Sequence, residues 1–187
     1  MFFVPSTDAT AIGVGDLVKL AANGGADPIT GRPIVTRTAT PASDVPVGVV
    51  VGIMINPPGF AASSGISSIN LPNNNLRPAS TAAYVLVCTD PTVVYEAQLT
   101  GTFVFAGAAA TTATVGKNFS YTNTAPSATT GISGVVVDLT TANVTATLPL
   151  KLIALVQRPD NDFSDVTNLK GHLMLNTSSY ATGTVGV

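Results

Sequence analysis

Apolar and polar positions alternate along the chain in short bursts, each cut off by Gly, Pro, Asn or Asp. Residues 16–20 (DLVKL) end in an Ala-Asn-Gly-Gly turn. Residues 33–39 (PIVTRTA) place Ile34, Thr36 and Thr38 on one face and Val35 and Arg37 on the other. Such period-two runs predict half-buried strands. Residues 45–55 form a longer apolar run whose Gly48 and Gly52 share a face. That predicts a strand closely approached by another backbone, or one bent by a bulge. Residues 84–88 (YVLVC) and 93–99 (VVYEAQL) flank Thr89-Asp90-Pro91-Thr92 and predict a hairpin. Further strands are predicted at 102–106, 118–122, 133–138, 145–156 and 171–176, with Pro149 demoting the first half of the run at 145–156 to an edge or bulge.

Thr, Val and Ala dominate, and β-branched side chains suit a pleated surface better than a helix. The 17 Gly and 13 Pro leave little room for helices of ordinary length. The fold class expected is mainly β: an antiparallel β-sandwich or a β-barrel-like domain, with extended loops and arms. Residues 1–15 read as an N-terminal arm, 16–176 as the β-rich body and 177–187 as a small, polar C-terminal tail. The body reads as one domain or as two small subdomains split near 56–82. The stretch 56–79, rich in Pro, Ser, Asn and Gly, is too long for a tight connection, which points to a functional or partner-ordered segment. The tail is expected to fray unless it packs on a neighbouring subunit. No repeat at a fixed period stands out.

Composition narrows the function. The chain has 187 residues, of which 45% are hydrophobic and only 10% charged. Average soluble chains carry about 25% charged residues, so a life inside an assembly is expected. The net charge of −2 is spread singly, which leaves no cationic footprint for nucleic acid. The longest apolar runs fall short of the roughly 18–20 residues needed to cross a bilayer, so no membrane partner is expected. The start, Met1-Phe2-Phe3-Val4-Pro5, lacks a basic leader region, and synthesis in a cytoplasm is the expectation.

Catalytic chemistry has few residues to draw on. His172 is the only histidine, Cys88 the only cysteine and Glu96 the only glutamate. A Ser–His or Cys–His pair must use His172, whose neighbours Gly171 and Leu173 resemble no nucleophile motif. Cys88 at the end of an alternating run reads as a buried, inert thiol. One Cys and one His build no zinc site. Glu96 with an Asp is the only route to a paired-carboxylate hydrolase, and an ion pair with an Arg across the sheet or a subunit boundary is the simpler reading. Asp160, Asp162 and Asp165 look faintly like calcium ligands. An EF-hand loop from Asp160 would need Gly at its sixth position and an acid at its twelfth, where Asp165 and Gly171 stand. A Pro-initiated turn with Asx caps is the simpler account. No cofactor, metal or catalytic residue is assigned, and the chain is not expected to be an enzyme.

Two segments carry a resemblance: 84–98 (YVLVCTDPTVVYEAQ) and 148–162 (LPLKLIALVQRPDND). They resemble the hairpin and the near-C-terminal strand of phage capsid decoration (cement) proteins, with support from residues 15–20, 47–53 and 130–133. This chain departs from the pattern with Asp162 in place of Glu and Ile132 in place of a basic residue. The resemblance implies a non-enzymatic virion protein on the outer surface of the capsid, binding the major capsid protein and often trimeric. On this reading Phe2 and Phe3 are apolar anchors in the arm, and Pro57, Phe60 and Arg77 lie in the contact loop. Arg158 with Asp160 or Asp162 pins the late turn, and Glu96 pairs across an interface. The alternative is a carbohydrate- or receptor-binding β-module of a head or tail fibre, against which the absence of Trp counts.

Overall fold

The computed structural model describes residues 1–22, 24–39, 43–54, 75–105 and 115–180, and among these every regular element is a strand. The chain is therefore mainly β, as its β-branched, Gly- and Pro-punctuated pattern predicts.

The first half supplies β1 (Phe2–Val4), β2 (Ile12–Gly13), β3 (Leu17–Leu20), β4 (Val35–Arg37), β5 (Gly48–Met54), β6 (Leu76–Arg77) and β7 (Ala83–Cys88). Five of them form a sheet in the order β1-β7-β5-β3-β4, with β2 and β6 as a small ribbon. Its edges meet through a parallel contact between Phe3 and Ile34, where the Phe3 N–H donates to the Pro33 carbonyl at 3.0 Å. The sheet thus curls almost into a barrel around Val4, Val18, Val35, Val50 and Val85.

The second half supplies β8 (Tyr95–Thr100), β9 (Asn118–Thr124), β10 (Gly134–Asn143), β11 (Leu150–Leu155) and β12 (Lys170–Leu175), which close a barrel in the order β10-β8-β12-β11-β9. One pair, β10–β8, is parallel and the rest are antiparallel. Its core is Leu99, Phe119, Val137, Leu152 and Leu173, all at most 2% exposed. Burial along β12 alternates residue by residue, the signature of a wall with one wet and one dry face.

Several expectations are met in detail. Gly48 lies so close to β7 that a Cβ would collide with the Cys88 carbonyl, and the β5–β7 register shifts between Val50 and Gly52. Pro149 stands just outside β11, which begins at Leu150. Others are corrected. The turn at 89–92 does not close a hairpin, because β7 belongs to the first sheet and β8 to the second barrel. That same crossover moves the division of the body from 56–82 to the 89–94 connection: β7 returns to pair with β5, which holds residues on both sides of 56–82 in one sheet. Residues 1–15 are no free arm, since β1 pairs with β7 and β2 with β6. Residues 102–105 form no strand, and residue 106 lies outside the described residues. Cys88 is half-buried, not buried. The start of the tail packs on its own chain: the Ser179 N–H donates to the Pro46 carbonyl and Tyr180 stacks on Phe2.

Candidate functional site

The joint between the two barrels is built from short polar bonds around an apolar cleft. Val14 forms a parallel bridge with Ile132, and the Ser133 N–H donates to the Val14 carbonyl at 2.9 Å. Asp16, fully buried, accepts from the Gly13 N–H at 2.8 Å and from the Ser133 hydroxyl. Burial raises the Asp16 carboxyl above its ordinary pKa, partly offset by these two donors. Arg37 donates to the Thr124 carbonyl at 2.8 Å, and Leu17 and Val49 of the first sheet pack into the core of the second barrel.

Above these bonds opens a cleft of about 670 Å³. It exists because the parallel pair β10–β8 is joined only at Val137–Leu99 and Asp138–Thr100. Towards their starts the two strands part, so Tyr95–Gln98 on one side and Gly134–Val136 on the other line the gap, with Val49 and Val51 facing them. The Tyr95 hydroxyl donates to the Cys88 carbonyl at 3.4 Å and is pushed up in pKa, mainly by burial.

A second polar cluster lies on the outer face of the second barrel. Arg158 makes a fork with Glu96, at 2.8 and 2.6 Å, and also donates to Asp160 at 3.1 Å. Lys170 donates to Asp160 at 2.5 Å. Its hydrogen bonds with Lys170 and Arg158 hold the Asp160 carboxyl down at about 2. Asp162 accepts from the Ser164 N–H and hydroxyl, and Asp165 from those of Thr167, so the late turn is capped as Asx chemistry predicts. Asn161, buried, stitches this turn to Val156 and Lys170.

The structure therefore brings together Glu96, Arg158 and Asp160, within one chain, and leaves Asp162 to the turn. The expected anchors are corrected. Phe2 and Phe3 are 6% and 9% exposed, because β1 turns them onto the first sheet's own core and Tyr84. Arg77 is fully buried and donates to the carbonyls of Pro5, Asp8, Thr10 and Thr81, which makes it an internal clamp. Pro57 and Phe60 lie outside the described residues. His172 on β12 pairs in register with Glu96 on β8, and Cys88 lies on the other barrel's sheet, so His172 and Cys88 do not form a dyad. Sequence reasoning missed Asp16; the signal was Gly-Val-Gly-Asp ahead of a strand, a carboxylate poised to cap its own turn. Comparison with protein-family models, with curated proteins and with solved structures finds no match.

Proposed function

We propose that this chain is a virion structural protein that binds the outer surface of a phage capsid and stabilises it, as a trimer bridging major capsid subunits. The observation that carries the reading is the outer surface of the barrels. Leu86, Ile153 and Phe105 are 38–55% exposed in a chain with few charges. Apolar side chains on strand faces suit broad, geometry-specific contacts with another protein. Three carboxylates singled out in the sequence are already engaged: Glu96 is held by Arg158, and Asp162 and Asp165 cap turns. Many copies with modest affinity hold a shell because linked contacts act at high effective concentration.

The test is co-sedimentation of the purified protein with expanded shells that lack it, followed by heat-induced DNA release. Saturable binding that raises the release temperature supports the reading. A lack of binding overturns it. A signal on a glycan array would then favour the receptor-binding alternative, with the cleft beside Tyr95 and Gln98 as the place to look.

A further inference from the structure

The two barrels are the same barrel twice. Around the first, the order is β1-β7-β5-β3-β4, its two edges meeting at a single parallel bridge between Phe3 and Ile34, the residue before β4; around the second it is β8-β12-β11-β9-β10, closed by the parallel pair β10–β8. The match extends to single residues. Val18 lies opposite Gly48 as Phe119 lies opposite Leu150, and Val50 opposite Val87 as Leu152 opposite Leu173. Both β5 and β11 carry one extra residue at the same place, Val51 and Ile153.

The connections repeat as well. Gly15, at φ 95°, donates to the Val50 carbonyl at 2.8 Å; Gly116, at φ 90°, donates to the Leu152 carbonyl at 2.8 Å. The turns Asp27-Pro28-Ile29-Thr30-Gly31 and Ser127-Ala128-Thr129-Thr130-Gly131 close with the same bond, Gly N–H to the first residue's carbonyl at 2.8 Å in each. Their glycines stand at φ 69° and 70°.

The joint inside the chain uses one copy of each piece. The turn ending at Gly131 of the second barrel docks on Gly13–Asp16 of the first: the Val14 N–H reaches the Gly131 carbonyl, and a Cβ on Gly131 would stand 2.6 Å from Asn75 backbone. Among the described residues, nothing covers the other copies of both pieces. Gly31 is exposed with nothing described within 4 Å of an added Cβ, and Ile29 beside it is 66% exposed. Gly116 likewise meets nothing among the described residues, and Val115 is 48% exposed.

We infer that copies of this chain associate head to tail, the turn at 27–32 of one copy seating on Val115–Gly116 of the next as the turn at 127–132 seats on Val14–Gly15 within the chain. The occupant is a second copy because the chain already contains the matching surface and already uses this joint once. A heterologous contact of this kind closes into a ring or runs on as a filament, depending on its rotation. The unused pieces carry Arg32 and Lys117 where the used ones carry Ile132 and Asp16. The inference is independent of the capsid reading and is tested without any shell.

Val14 and Ile132 are bridge partners, so Val115 and Arg32 of neighbouring copies are within disulfide reach. In a Cys88→Ser background, Val115→Cys and Arg32→Cys chains are mixed and oxidised with glutathione disulfide. A covalent mixed dimer is expected, with neither variant cross-linking alone, and Ile29→Asp on the Arg32→Cys chain abolishes it. Sedimentation velocity on the full wild-type chain should show mass rising with concentration. No mixed dimer together with a monomer at all concentrations, or homodimers formed as readily as mixed ones, overturns the inference.

Discussion

Arg77 is a fully buried clamp in the first barrel. Its guanidinium satisfies four carbonyls drawn from residues 5–10 and 81, and Asp8 stands 3.8 Å away. Arg77→Ala strands those buried carbonyls and leaves Asp8 without its cation, which should cost about 3–5 kcal/mol in urea unfolding. Arg77→Lys should recover little of it, because an ammonium cannot fork to four separated acceptors. The outer cluster makes a different prediction. Asp160 has a folded pKa of about 2 against an ordinary 3.8, so the folded state binds its proton less readily than the unfolded chain does. Its contribution is present above 3.8 and is lost as pH falls from there towards 2. The difference in urea midpoint between wild type and Asp160→Asn should shrink across that window, and with salt, since the cluster is exposed. At this scale the sequence was partly readable. Glu96 and Arg158 stand out because charges are few; Arg77 misled, because the carbonyls it serves are distant along the chain and become neighbours only in the fold.

Among elements, local chemistry was read well and partners were not. The turn at 89–92 has the expected Asx bonds, with Asp90 accepting from Thr92, yet it joins strands of different barrels. Turn residues specify how a chain bends and say little about which sheet the next strand enters. β1 was read as part of an arm, and pairing with β7 makes it a strand. The paired turns offer an internal control. Gly31→Ala pays the left-handed backbone strain alone, about 1–2 kcal/mol. Gly131→Ala has the same φ and adds the collision with Asn75, so its denaturation midpoint should fall clearly further. Equal losses would mean that the joint yields at no cost.

For the whole molecule, the buried joint decides whether the barrels unfold together. Asp16 links them through Ser133, and Leu17 and Val49 reach from one sheet into the other's core. Ser133→Ala leaves both cores intact and removes one bond across the joint, at about 1 kcal/mol. Hydrogen exchange should then show faster opening at Val14 and Ser133, with protection inside β5 and β11 unchanged; uniform acceleration would mean that the barrels do not open separately. The amino-acid sequence by itself determined the mainly β class, most strand positions and that the glycines of β5 mark either a close approach or a bulge, because each follows from side-chain period, β-branching and glycine over a few residues; the structure has both. The tertiary structure alone decided which strands are neighbours, and so where the chain divides, which apolar residues are spent internally and that one barrel occurs twice. The duplication is invisible along the chain because the spacing between matching residues drifts from strand to strand with connection length, and a barrel wall asks only for apolar character at alternate positions, which many residue pairs satisfy without being alike.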